Sequence, residues 1–162
     1  MVKLIPFKKE HIEKTFTWVS NPALQRLFLI RGQPTWNSHI AYFSRVLCDH
    51  SNCVFAIIYK NMHCGNCGFK NIISGQEGEL WIYIGDTSLQ GIGIGKVALE
   101  ILIDKGFKEQ NFKVIYVHLG DFNVVARDLY EFFGFKQVPL KESNKVQWEN
   151  RQCEIIRMEL KR

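Results

Sequence analysis

The sequence lacks any apolar run near the roughly 18 residues that a membrane helix requires, so no membrane-spanning role is expected. It also lacks a secretory leader pattern. MVKLIPFKKEHIEK turns charged after a few apolar residues, whereas a leader carries a longer apolar stretch and a small-residue cleavage site. A cytoplasmic location is the expectation. There is no internal repeat, low-complexity tract or Pro/Gly/Ser-rich linker, which excludes solenoids and argues for one domain over residues 1–162. Metal-site spacing is missing too: Cys64 and Cys67 form one C-x-x-C, with no second pair and no histidine pair at zinc spacing. On a strand, positions three apart face opposite ways, so no metal site or redox couple is expected there. The basic residues form no run denser than Lys8–Lys9. A net charge of +5, from 21 basic and 16 acidic residues, therefore suits a small polyanionic ligand better than nucleic acid.

The composition, 46% hydrophobic and 23% charged, is that of an ordinary globular domain with one core. Its patterning alternates in type. Lys3 to Phe7 is short and extended. Ile12, Phe16 and Val19 fall at helical spacing, as do Ile40, Phe43 and Leu47, and between them NPALQRLFLIRGQPT reads as an unusually apolar loop. Three strand-like runs follow, Val54–Tyr59, Cys64–Ile73 and Glu79–Ile84, parted by Asn61 and by SGQEG. Ile94 to Phe107 reads as a helix with an apolar stripe of Ile94, Val97, Ala98, Ile101 and Leu102. Val114–Leu119 is β-branched and strand-like. Asn123 to Phe133 is helical, with Ala126, Leu129, Tyr130 and Phe133 on one face, and Cys153–Leu160 closes the chain as a strand. The result is an α/β class, α+β mixed: a mixed sheet of six to seven strands flanked by about four helices.

The most informative stretch is EGELWIYIGDTSLQGIGIGKVALEILIDKGF, a strand, a short polar turn, glycines, then a helix. Gly91, Gly93 and Gly95 let backbone amides approach a ligand without a Cβ in the way. The helix starting near Ile94 offers its free N–H groups and positive dipole end at the same place, an anion cradle suited to phosphate. Two phosphate motifs fail here. A P-loop needs glycine at position 90 and Ser or Thr at position 97, where Gln90 and Val97 stand. A dinucleotide fingerprint needs a third glycine where Lys96 stands.

Gln90, Gly93 and Gly95 instead give Q-x-x-G-x-G between a strand and a helix, and NVVARDLYEFFGF supplies a second motif downstream. The pair, in this order and separation, resembles the GNAT superfamily of acyl-CoA N-acyltransferases. The resemblance implies a sheet splayed between its fourth and fifth strands, Glu79–Ile84 and Val114–Leu119, with the pantetheine arm in the gap. It implies acetyl-CoA or coenzyme A as co-substrate and no metal. The cofactor residues implied are Tyr83, Ile84 and Gly85 along the arm, with the Tyr83 and Gly85 amides as donors. Gln90, Gly91, Ile92, Gly93, Ile94, Gly95 and Lys96 would surround the diphosphate, and Asn123 and Tyr130 would lie near the arm.

Direct attack of an amine on a thioester needs a neutral amine, a polarised carbonyl and a proton for the leaving sulfur. The resemblance gives the last task to Tyr130; the plain alternative is a core tyrosine packing helix to sheet, since it shares the stripe of Ala126 and Phe133. Asn123 could act as helix N-cap, as cofactor contact, or as both. Glu79 is the candidate base. It shares a strand face with Trp81 and Tyr83, and apolar neighbours would raise its pKa. A solvated strand-end glutamate is the plain alternative, and His118, Asp121 or water compete for the role.

Acceptor choice is expected to fall to residues 21–35 and 136–154. FTWVSNPALQRLF resembles two GNAT branches, one acetylating nucleotide-linked amino sugars and one acetylating protein N-termini, including ribosomal ones. The expected partner is a small-molecule amine, with the sugar branch favoured because Arg26 and Arg31 could contact a diphosphate and Trp36 and His39 a base. A non-catalytic acyl-CoA-binding module is the remaining alternative. An exposed Leu27–Ile30 would be compatible with a homodimer or a substrate lid.

Overall fold

The computed structural model describes residues 1–140, 142, 144–148 and 150–162. Three positions of the expected acceptor segment, Lys141, Ser143 and Glu149, lie outside the described residues. The chain opens with β1 (Val2–Pro6), α1 (Ile12–Val19), α2 (Pro22–Leu27) and α3 (Trp36–Val46). The strands β2 (Cys53–Tyr59), β3 (Met62–Ile73) and β4 (Glu77–Ile84) follow, then α4 (Ile94–Lys108), β5 (Val114–Gly120) and α5 (Val124–Phe132). The chain ends in β6 (Lys136–Val138), β7 (Lys145–Trp148) and β8 (Arg151–Lys161).

The strands run in the order β1-β2-β3-β4-β5-β8-β6, with β7 paired to β8. All neighbours are antiparallel except β4 and β5, which are parallel and joined through α4. That one parallel pair is short. Its register covers only Glu77↔Val114, Gly78↔Ile115 and Glu79↔Tyr116, so Leu80–Ile84 and Val117–Gly120 diverge. The splay implied by the family resemblance is therefore present between the fourth and fifth strands.

The larger core lies between the sheet and helices α4 and α5, around Phe69, Leu80, Leu99, Leu102, Ile115, Tyr130 and Met158. A second cluster, with Phe7, Ile12, Phe43, Val54 and Ala56, seats α1 and α3 on the first strands. Phe7 and Phe43 stack at 4.5 Å within it.

The structure corrects the sequence reading at several points. The apolar loop holds a helix, α2, because Pro22 is preset for a first helical turn and Asn21 caps it by accepting from the Ala23 N–H at 2.9 Å. Five α-helices and eight strands are present among the described residues, against four and six to seven expected. The two strands missed, β6 and β7, are only three and four residues long and carry too little alternation to register. The buried face of α4 is Ile94, Ala98, Leu99, Leu102, Ile103 and Gly106, while Val97 is exposed. Cys64 and Cys67 are both fully buried and free. A β-bulge at this end of β3 breaks the simple alternation, and the Cys64 thiol donates to the Ile57 carbonyl at 3.4 Å.

Gly85, just past β4, fixes how α1 sits on the sheet. A Cβ there would lie 2.0 Å from Cδ2 of the Trp18 indole. Gly85→Ala is expected to destabilise the fold by about 1–3 kcal/mol through overpacking. For a chain of this size that lowers Tm by about 2–4 °C per kcal/mol. An unchanged thermal melt would show that Trp18 can move aside.

Candidate active site

The glycine turn opens toward solvent. Gly91 and Gly93 have φ of +77° and +90°, and a Cβ at either would meet no protein atom within 4 Å. Gly93 is the N-cap of α4 and brings no side-chain cap. The first backbone bond of the helix runs from the Val97 N–H to the Gly93 carbonyl, so the amides of Ile94, Gly95 and Lys96 precede the internal ladder. Gln90 braces the turn, its Nε2 donating to the Ile84 carbonyl at 2.8 Å. Ile92 is exposed at the tip, and the Lys96 ammonium lies 3.5 Å over the Phe132 ring of α5.

Along β4 the pleat decides which amides face the gap. The Gly85 N–H donates to the Cys64 carbonyl at 2.9 Å, so Gly85 is turned toward β3. Antiparallel pairing alternates, which turns Tyr83 the same way and leaves the N–H groups of Ile82 and Ile84 on the side that β5 has left. The Gly85 amide implied by the family resemblance as a donor is thus engaged within the sheet, and Tyr83 is turned the same way. The N–H groups on the open side are those of Ile82 and Ile84, a register the sequence reading did not anchor. Strand alternation anchored on a single known pair would have found it. The Tyr83 side chain has another task. Its hydroxyl accepts from Asn66 Nδ2 at 2.8 Å, and Asn66 also donates to Thr15 and meets His63 Nε2.

Asn123 caps α5 through Oδ1, which accepts from the Ala126 N–H at 3.3 Å. Tyr130 is 5% exposed, with its ring 5.4 Å from that of Phe135. Its hydroxyl has no hydrogen-bond partner among the described residues. Burial pushes the phenol well above its ordinary pKa, so it keeps its proton throughout the working range.

Glu79 is neither solvated nor surrounded by apolar groups alone. It is 7% exposed, accepts from Asn71 Nδ2 at 2.7 Å, pairs with His118 Nδ1 at 3.1 Å and lies 3.6 Å from Lys70 Nζ. Burial pushes its pKa up, but the His118 hydrogen bond, the Lys70 charge and the Asn71 amide outweigh that, and the net shift is downward. The upward shift expected from the sequence is overturned, because polar partners arrive from β3 and β5. Two hydrogen bonds and the Lys70 charge favour the ionised carboxylate and make it a poor proton acceptor.

Between α2, the turn after β5 and the β7–β8 hairpin lies an open cavity of about 370 Å³. Arg26, Asp121, Phe122, Trp148, Arg151 and Gln152 are among its lining residues. Asp121 also accepts from the Glu154 N–H at 3.3 Å. Of the expected acceptor contacts only Arg26 lines this cavity. Arg31 donates to the Gln147 carbonyl at 2.9 Å. His39 is buried with Nε2 at 3.0 Å from the Ile12 carbonyl, and Trp36 packs edge-on against Phe16. Trp148 and Arg151 fall within the expected segment 136–154 but were not singled out, and Phe122 lies outside both expected segments, since only tertiary folding brings the last hairpin beside α2. Leu27 and Phe28 are exposed, with the Phe28 ring 5.6 Å from that of Tyr83.

A splayed parallel pair ending at a bare helix start defines a class of protein that lays an extended, phosphate-bearing ligand across its sheet. The family description "Acetyltransferase (GNAT) domain" matches residues 2–136. The chain belongs to the GNAT acetyltransferase family; it is an N-acetyltransferase with acetyl-CoA as donor. Among curated proteins, the N-acetyltransferase 9-like protein of Nematostella vectensis is 24% identical over 163 residues, covering 86% of this chain and 76% of that protein. The spermidine N-acetyltransferase of Vibrio cholerae, solved with CoA and spermine, superposes with a TM-score of 0.91 at 17% identity, over 99% of this chain and 95% of that one. The N-acetyltransferase PseH of Campylobacter jejuni, solved with acetyl coenzyme A, gives 0.73 at 17% identity over 99% of both chains. No helix among the described residues is long and apolar enough to cross a membrane.

Proposed function

We propose that the chain moves acetyl from acetyl-CoA directly onto the primary amine of a phosphate-bearing small molecule, of the nucleotide-linked amino-sugar kind. The observation that carries the acceptor class is the cavity beside the splay. It sets two guanidinium groups, Arg26 and Arg151, against one carboxylate, Asp121, and adds the aromatic groups Phe122 and Trp148. Arginine forks match phosphate oxygens, and a flat apolar wall suits a base or sugar face. A polycationic amine would meet repulsion there.

The donor side follows from the amides. The turn from Gln90 to Lys96 holds the diphosphate by N–H groups and the positive end of α4. Ile82 and Ile84 bond the pantetheine arm within the gap, beside Tyr83 and Gly85. Asn123 caps α5 and Tyr130 stands on it, and this helix starts just after the splayed β5 ends. The Tyr130 hydroxyl protonates the departing sulfur.

Thiol release from acetyl-CoA, measured across UDP-glucosamine, glucosamine 1-phosphate, spermidine and short peptides, tests the reading. The phosphate-bearing amines are expected to be preferred. Arg26→Ala and Arg151→Ala should each raise their KM by about tenfold or more, the loss of one charged hydrogen bond. Turnover confined to spermidine or to peptides would overturn the acceptor class while leaving the donor chemistry standing.

A further inference from the structure

Glu79 and His118 meet where β4 and β5 part company. Glu79 closes the parallel ladder opposite Tyr116, and His118 stands two residues further along β5, in its diverging half. Glu79 shares its face of β4 with Tyr83, whose ring contacts Trp18 of α1 and Phe28 just beyond α2. The pair therefore lies on the acceptor side of the sheet, away from the α4 core.

The hydrogen bonding fixes the imidazole. Glu79 is held as a carboxylate by Asn71 and Lys70, and a carboxylate can only accept. The hydrogen of the His118–Glu79 contact is thus on Nδ1, which leaves the lone pair of the neutral ring on Nε2. Nε2 has no hydrogen-bond partner among the described residues, and the side chain is 32% exposed. The surrounding charges are engaged elsewhere. Arg157, opposite His118 on β8, lies 3.7 Å over the Tyr116 ring and pairs with Glu159. Glu159 also takes Lys161, and Tyr116 meets His118 edge-on at 5.5 Å.

We infer that His118 Nε2 is the general base that removes a proton from the bound acceptor ammonium, with Glu79 as the positioning residue that sets its tautomer. This rests on the acetyl-transfer reading above and replaces Glu79 as the group that touches the amine. The ammonium gives one proton to Nε2, which passes it to solvent. The freed nitrogen lone pair attacks the thioester carbon and forms the C–N bond. As the C–S bond breaks, sulfur takes the Tyr130 hydroxyl proton, and the phenolate recovers a proton from the new amide nitrogen through water. Amide, thiol and one released proton balance the ammonium and thioester consumed.

The test compares wild type with His118→Asn and Glu79→Gln, using acetyl-CoA with UDP-glucosamine and then with hydroxylamine, which is mostly uncharged at neutral pH. His118→Asn is expected to lower kcat on UDP-glucosamine by about 10²-fold. The acid limb of the kcat/KM profile should then follow the ionisation of the acceptor amine alone, acetyl-CoA binding should stay intact, and hydroxylamine should be affected far less. Glu79→Gln should give a smaller fall in kcat with the same unchanged cofactor affinity. In histidine-15N protein at alkaline pH, the His118 ring should be the Nδ1–H tautomer. The Nε2–H tautomer overturns the assignment whatever the assay shows, as does His118→Asn with wild-type kcat and pH profile. If wild type binds coenzyme A yet acetylates no amine, the transfer reading falls and the base falls with it.

Discussion

Tyr130→Phe is expected to lower kcat by about 10²-fold or more while leaving the acetyl-CoA dissociation constant near that of the wild type. The substitution removes one oxygen and keeps the ring that packs on Phe135. Because the hydroxyl bonds no group among the described residues, its loss strands no protein partner, and thermal stability should hold or rise slightly. A core tyrosine with no chemical task predicts the same stability but unchanged turnover. Burial keeps the proton on oxygen but also weakens the phenol as an acid, so the turnover of this variant, not the direction of the shift, decides the role. Stopped-flow thiol release together with calorimetry separates the two roles. Normal kcat in the phenylalanine variant would remove Tyr130 from the mechanism.

Gly93→Asp should divide stability from binding just as cleanly. At φ +90° an aspartate carries a left-handed strain of about 1–2 kcal/mol, less than most residues because its short polar side chain tolerates that region. No protein atom lies within 4 Å of the new Cβ, so packing is untouched. The carboxylate, however, enters the space in front of the Ile94, Gly95 and Lys96 amides and repels a diphosphate there. Acetyl-CoA affinity is expected to fall by about 10²-fold or more, with Tm moving only a few degrees, since 1–2 kcal/mol corresponds to about 2–4 °C each. Calorimetric titration with coenzyme A reads the effect. Undiminished heat and affinity would place the diphosphate elsewhere.

Much of the fold was legible in the sequence because its signals are local. The apolar spacing of Ile12, Phe16 and Val19 and the β-branched run of Val114–Leu119 each reported their element from side chains a few positions apart. The short elements were not legible. α2 hides among apolar residues, and its Asn21–Pro22 start is a stronger sign than its periodicity. β6 and β7 exist because β8 is long enough to pair with them and with β5.

The site divides along the same line. The glycine turn was readable because positive φ and a missing Cβ are properties of single residues. The environment of Glu79 was not, since its partners stand at positions 70, 71 and 118 and only the sheet register brings them together. The amide assignment slipped for a related reason. A one-residue difference on a strand exchanges the side that faces β3 for the side that faces the gap, and family likeness alone does not anchor that register.

The sequence by itself determined the order of most helices and strands, the bare amide turn after β4 and the family to which the chain belongs, because each depends on neighbours along the chain. Tertiary structure decided that Ile82 and Ile84 face the opening, that His118 is held by a buried carboxylate, and that Arg26 and Arg151 share one cavity. Those outcomes depend on strand register and on contacts spanning many residues, which arise only when the sheet closes around its core.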